Sequence, residues 1–413
     1  MNLSIKISSN LFYLIPLALL TGPFLPDLFL SLIAIIFLFN VIIFKQYEYL
    51  NNKFFIIFIL FYLYLILNSV ISDYSNISFK SSLFYLRFGI FSCATWFLIN
   101  HNPNFTKYFF WILLSTFFLA IIDGFYQYFF NISIFGIINN VPNRLTLTFN
   151  DKIILGGYLS RIFPLLIGLI IILIKNNKQK YFLISILFIS IDVLVYISGE
   201  RTALGLMILL SIFLILFMTK YRLLRICTIL ISIILIVIVS IQIPSTKSRT
   251  IDFTIEQMGL ADEINEVKTF SVIHDSLFIT AYRSFIDKPI IGHGPNTFRE
   301  TCKLEKFKAG DYNCSTHPHN TYLQLLSEIG IIGFLPILII LYYLGNTLSK
   351  QLIFILKRKD AYYTDFQICI IGCLVLTLWP LIPTQNFFNN WISVIYYLPI
   401  GFLLHSLHSG KKP

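Results

Sequence analysis

Twelve apolar runs, each near the length of a bilayer crossing, decide what this chain can fold into. A membrane-spanning helix needs ~20 mostly apolar residues, within a range of about 17–25. The runs cover 11–25, 28–44, 54–71, 82–99, 108–125, 153–174, 181–197, 203–218, 223–243, 321–344, 366–383 and 391–407. Hydrocarbon offers no partner to a backbone amide, so each run must satisfy its own amides as a helix. The expected fold class is an all-α integral membrane protein of about 12 transmembrane helices. Only Gly22, Pro23 and Pro26 separate the first two runs. Joined as one re-entrant unit they would lower the count to eleven and move the N-terminus across the membrane.

Composition agrees. The chain is 57% hydrophobic and 12% charged, against about 25% charged in soluble domains. The formal charge of +11 does not imply nucleic acid as a partner, because Lys and Arg in such a chain serve topology first. The first run lacks a small-residue cleavage site, so Met1 onward is expected to stay in the mature protein.

The basic residues orient the helices. With the N-terminus in the cytoplasm, alternate connections carry Lys45 and Lys53, Lys107, Lys175 with Lys178 and Lys180, Lys220 with Arg222 and Arg225, Lys357 with Arg358 and Lys359, and finally Lys411 and Lys412. The opposite short connections hold few: Lys80, Arg144 with Lys152, and Arg201. Both termini are therefore expected in the cytoplasm. One connection is long, from Pro244 to Asn320, and lies on the outer side. Its apolar periodicity predicts short helices on the membrane surface. The chain thus divides into helices over 1–243, a large outer loop over 244–320, and helices over 321–413.

Outer-side arginines run against the charge bias and need an explanation. They are Arg144 in N-R-L-T-L-T-F-N-D, Arg161 in the sixth run, Arg201 in S-G-E-R-T-A, and Arg283 in A-Y-R-S-F-I-D-K-P-I-I-G-H-G. Guanidinium groups grip phosphate bidentately and stay charged, which suggests a lipid-linked phosphate or diphosphate at the outer leaflet. Structural alternatives stand beside each: an ion pair of Arg201 with Glu200, pairing of Arg161 with Asp151 or Asp192, solvation of Arg144, and a helix-end role for Arg283.

The sequence T-H-P-H-N-T-Y-L-Q-L-L-S-E-I-G-I-I-G begins at Thr316 and leads into the tenth run. His317 and His319 do not share a helix face, and nothing nearby completes a metal site with recognisable spacing. No metal and no cofactor are expected. Asn320 suits an N-cap. A neutral histidine at the membrane surface suits a general base. Among the cysteines, Cys93, Cys227, Cys369 and Cys373 lie inside apolar runs and read as small core residues. Cys302 and Cys314 flank a polar segment and would form a disulfide in an oxidising compartment, or remain two free thiols.

His319-Asn320, nine residues, then Gly330-Ile331-Ile332-Gly333 resembles the signature of the bacterial O-antigen ligase and O-antigen polymerase superfamily of membrane glycosyltransferases. The resemblance extends to S-G-E-R-T-A at 198–203, to A-Y-R-S-F-I-D-K-P-I-I-G-H-G-P-N-T-F at 281–298, and to R-L-T-L-T-F-N-D-K-I-I-L-G-G-Y-L. It implies a GT-C-like fold with one large periplasmic loop in the bacterial inner membrane. It also implies metal-independent, inverting transfer of a glycan from undecaprenyl diphosphate. In a ligase the acceptor is a sugar hydroxyl of lipid A core; other members use another glycan. Carried over by motif position, His319 is the base, and Arg201 and Arg283 hold the diphosphate. Arg144, Arg161, His317, Asn320 and Glu328 are second-tier candidates. Polymerase and protein O-glycosyltransferase activities share the motif. A flippase for lipid-linked glycans, surrounded by membrane lipids but doing no chemistry, is the alternative from another class.

Overall fold

The computed structural model describes residues 1–142, 144–149, 152–260, 268–357 and 361–408. Within these residues the chain is helical. The principal helices are α1 (Asn2–Thr21), α2 (Phe24–Ile43), α3 (Lys53–Ile71), α4 (Leu86–His101), α5 (Phe105–Phe130), α6 (Leu155–Leu173), α7 (Asn177–Ile197), α8 (Arg201–Phe217) and α9 (Arg222–Gln242). There follow α10 (Val272–Asp287), α11 (Thr321–Leu356), α12 (Asp365–Thr377) and α13 (Asn390–His408). Among the described residues, ten helices are long and apolar enough to cross a membrane, with α8 and α12 shorter apolar helices beside them. Together they account for the twelve apolar runs. α1 and α2 are two complete helices of 20 residues each, turned at Gly22 where φ is +118°, and each is long and apolar enough to cross a membrane. This is an all-α integral membrane protein.

α6 is the centre of the bundle. Nearly its whole length is buried, and it packs against α5, α7, α8, α12 and α13. Small residues let helices approach where lipid supplies no hydrophobic drive. A Cβ on Gly168 of α6 would lie 3.1 Å from Cys369 Cβ on α12. One on Gly401 of α13 would lie 2.6 Å from the Ser92 carbonyl oxygen on α4.

Two sequence expectations change here. Arg225 is not a solvated cytoplasmic charge: it is 3% exposed and pairs bidentately with Asp192, at 2.8 and 3.0 Å. Ser232 donates to the same carboxylate at 2.8 Å, and the guanidinium lies over Phe188 at 4.2 Å. This satisfied network ties α7, α8 and α9 together and removes Asp192 as a partner for Arg161. Asp151, the other suggested partner, lies outside the described residues, as do Arg358, Lys359, Lys411 and Lys412. Cys227 is exposed rather than a core residue, whereas Cys93, Cys369 and Cys373 are buried.

The long connection folds back on the bundle. It contains α10 and short turns of helix at Pro244–Lys247, Phe253–Gln257 and Phe298–Thr301. Its anchorage is a break in α11 at Gly330, whose φ of +65° and ψ of −173° only glycine adopts readily. There the amides of Ile331 and Ile332 leave the helix ladder and donate to the carbonyls of Pro289 and Ile290, at 2.9 and 3.2 Å. Tyr64 of α3 donates to the Ile329 carbonyl at 2.7 Å, and Asn68 to that of Ile291 at 2.7 Å. Glu328, two residues before the break, accepts from the amides of Asn296 and Phe298 at 2.9 and 3.0 Å and from the Gln324 side chain at 3.1 Å. The segment I-I-G-H-G-P-N-T-F is thus laced into α11 and α3 through its backbone.

Candidate active site

The N-termini of α6, α8 and α11 and the C-terminus of α7 meet at one face of the bundle. Between them lies a cavity of about 290 Å³ lined by Arg144, Arg161, Glu200, Arg201, His274 and His319, with Gly157 and the 383–385 segment among its walls. Three of the four sequence-predicted arginines and the predicted base therefore share one space.

His319 is held there by its backbone. Pro318 precedes it and α11 starts two residues later, so the chain must reverse at this point. His319 takes φ of +56°, a left-handed conformation that histidine tolerates better than most residues. Its carbonyl accepts from the Thr384 amide at 2.8 Å. Asn320 caps α11, its Oδ1 accepting from the amides of Tyr322 and Leu323 at 3.0 and 3.1 Å, and its Nδ2 donates to the Pro380 carbonyl at 3.1 Å. The Cys302–Cys314 disulfide is formed, with Cα atoms 5.0 Å apart. It closes the segment just before Thr316.

The two histidines of the motif differ in freedom. His317 is buried; its Nε2 faces the Thr384 carbonyl at 3.1 Å and its Nδ1 faces the Thr316 hydroxyl at 3.0 Å. A carbonyl only accepts, so Nε2 carries the hydrogen and Nδ1 accepts from the hydroxyl. Burial, with His319 beside it, pushes the His317 pKa down to about 3. The His319 ring packs on it, centroids 4.1 Å apart, and burial lowers its pKa as well. Both imidazoles are neutral at neutral pH, but only His319 lines the cavity.

The arginines are positioned differently from one another. Arg161 is 4% exposed; one Nη donates to the Gly157 carbonyl at 3.1 Å, and its Nε has no hydrogen-bond partner among the described residues. Arg201 does not pair with Glu200. It reaches Gln257 at 2.7 Å and Thr254 at 3.5 Å, with Phe253 under its guanidinium at 5.3 Å. Arg283 is not brought to the cavity. It is exposed on α10 and donates to the Lys308 carbonyl. The helical repeat explains this: His274 of α10 lines the cavity, and Arg283 stands nine residues on, two and a half turns away on the opposite face. Glu328 is a brace for the loop, away from the cavity wall.

Two cavity residues escaped the sequence reading. His274 sits over His319, ring centroids 5.7 Å apart, with Ser271 against its Nδ1 at 2.8 Å. Burial and the neighbouring His319 and Arg201 push its pKa down to about 4. Glu200 turns inward and accepts from the amides of Gly156 and Gly157 at 2.6 and 3.1 Å. The S-G-E-R-T-A segment held the signal for it, since a glutamate in a membrane-edge turn needs a partner. The partner lies 43 residues away on α6.

Residues 183–338 match the family model described as O-antigen ligase. Over those residues the chain is similar to the O-antigen ligase and polymerase superfamily. The match covers somewhat more than a third of the chain, from α7 into α11. It includes Glu200, Arg201, His274, Arg283, His317, His319 and Gly330, and leaves Arg144 and Arg161 outside. No curated protein matches the chain. The match supports a glycosyltransferase-like activity of the ligase or polymerase type in general.

Proposed function

We propose that the chain is an O-antigen ligase that moves a glycan from undecaprenyl diphosphate to a sugar hydroxyl of lipid A core. The reaction takes place on the periplasmic side of the bacterial inner membrane and inverts the anomeric centre. The observation that carries the reading is the convergence of Arg144, Arg161, Arg201 and His319 on one cavity. His319 takes the proton from the acceptor hydroxyl. The acceptor oxygen attacks the anomeric carbon, and the bond from that carbon to the phosphate oxygen breaks. Undecaprenyl diphosphate leaves with the bonding pair. Fixed guanidinium charge stabilises the negative charge that develops on it. Arg201 is best placed to grip the diphosphate, because its present partners, Gln257 and Thr254, are neutral and easily exchanged. Arg283 has no part in this scheme. The Cys302–Cys314 disulfide supports an oxidising compartment for this face.

Polymerase activity, with a second lipid-linked glycan as acceptor, uses the same groups. In vitro transfer with purified protein and both acceptors separates the two. Product on lipid A core supports the ligase. Product on the lipid-linked glycan alone assigns a polymerase. Transfer to neither, by protein that binds the donor, removes both in favour of the flippase or protein-acceptor readings.

A further inference from the structure

The amides of Gly156 and Gly157 belong to the first turn of α6, where backbone N–H groups have no partner inside the helix. Such an end carries partial positive charge and binds anions. Here the anion is the protein's own Glu200 carboxylate. The two glycines allow it to come close: a Cβ on Gly156 would lie 3.2 Å from Glu200 Cδ, and one on Gly157 would lie 3.2 Å from Arg161 Nη1 and 3.8 Å from Glu200 Oε2. Arg161 stands on the next turn of α6, deeply buried, with its Nε unpartnered among the described residues. A buried arginine held beside a helix N-terminus is more positive charge than one carboxylate in two hydrogen bonds uses. Gly157, Arg161 and Glu200 line the cavity.

We propose that the Gly156 and Gly157 amides and Arg161 form a cradle for one tetrahedral phosphate group, and that Glu200 fills the cradle until the phosphate displaces it. The proposal rests on the cavity being the diphosphate site and adds how that site is kept closed when empty. A phosphate cannot enter beside an ionised Glu200 without repulsion. Entry is therefore coupled to proton uptake by Glu200 from the cavity water, and departure to release of that proton. Burial has already pushed the Glu200 pKa up to about 7, with Arg161 opposing the rise. Arg161 faces this group from within the bundle and is itself faced by Tyr396, while Arg144, Arg201, His274 and His319 line the same cavity. The two histidines, with lowered pKa values, stay neutral near pH 7 and add no competing titration there.

The test is inorganic pyrophosphate binding to full-length protein in detergent, wild type against Glu200→Gln, across pH 6 to 8. Pyrophosphate titrates too, but equally for both proteins, so the affinity ratio isolates Glu200. The ratio is expected near one at pH 6, rising to about tenfold tighter binding by the variant at pH 8. A ratio near one throughout, or weaker binding by the variant at every pH, overturns the proposal. Should Glu200→Gln fail to fold, wild type is titrated with inorganic sulfate, a dianion over this range. Its affinity is expected to fall about tenfold from pH 6 to pH 8, and a flat profile overturns the proposal. Pyrophosphate binding that is lost in Arg201→Ala but indifferent to Glu200→Gln removes the cradle and leaves the diphosphate site standing. Absence of pyrophosphate binding by every form removes both.

Discussion

Gly330→Ala and Gly345→Ala make the same substitution in the same helix and should have opposite consequences. At Gly330 the backbone lies at φ +65° and ψ −173°, a region that costs a non-glycine residue about 1–3 kcal/mol. The new Cβ would also fall 2.3 Å from the Ile290 carbonyl oxygen. That oxygen belongs to the docked loop and cannot recede without releasing the hydrogen bonds from Ile331 to Pro289 and from Ile332 to Ile290. Each such bond contributes about 0.5–1.5 kcal/mol net. Together these terms put the loss at about 4 kcal/mol. At Gly345 a Cβ meets no heavy atom within 4 Å among the described residues. Replacing a helical glycine there stabilises by about 0.5–1 kcal/mol. Both variants are measured by reversible unfolding in mixed detergent, titrating SDS. Limited proteolysis within 289–298 then reports whether the loop has come away. Equal stability of the two variants, or a Gly330→Ala loop that stays protected, would refute the view that α11 is broken in order to hold the loop.

Three further outcomes follow from the same contacts. His317 has a pKa of about 3 when folded, against about 6.5 when unfolded. The unfolded chain therefore binds the extra proton, and stability is lost as pH falls from about 6.5 toward 3, by at most about 1.4 kcal/mol per pH unit. His274 adds to the loss over the upper part of that window, and unfolding of His317→Gln should show a shallower slope. Arg201→Lys keeps the charge but loses the two-pronged grip. Its kcat/KM should fall by about tenfold or more, and that of Arg201→Ala by about 10²–10³-fold, in steady-state transfer assays; unchanged Arg201→Lys kinetics would exclude bidentate contact. Cys302→Ser opens a loop of 12 residues' separation and should cost about 3 kcal/mol. Wild type unfolded under reducing conditions should match it, and a wild type indifferent to reductant would mean the disulfide does not contribute.

The helices were legible because hydrocarbon imposes one rule on every apolar run. That His319, Arg144, Arg161 and Arg201 would stand out from their surroundings was legible, because charge and imidazole are scarce at such positions. Arg283 was misplaced because side and motif do not give helical phase; the nine-residue step from His274 does, once His274 is known to face inward. Glu200 and Glu328 were unreadable in role because their partners are backbone amides from distant segments, and an amide leaves no mark in a sequence. Arg225 looked like a topology charge, because it follows Lys220 and Arg222, until its partner Asp192 was seen on the neighbouring helix. The split between His317 and His319 rests on Thr384, 67 residues from His317, and no local pattern announces it.

The central claim is that His319 is the base in a cavity whose arginines hold the donor. Its most direct test is single-turnover transfer from pre-bound donor by wild type, His319→Ala and His317→Ala, with donor affinity measured alongside. The account predicts that His319→Ala binds donor as wild type does while transfer falls by about 10²–10⁴-fold. His317→Ala should lose less. The wild-type rate should decline at acidic pH, through a His319 pKa lowered by burial. Transfer by His319→Ala at the wild-type rate would contradict the account. So would a loss explained entirely by weakened donor binding.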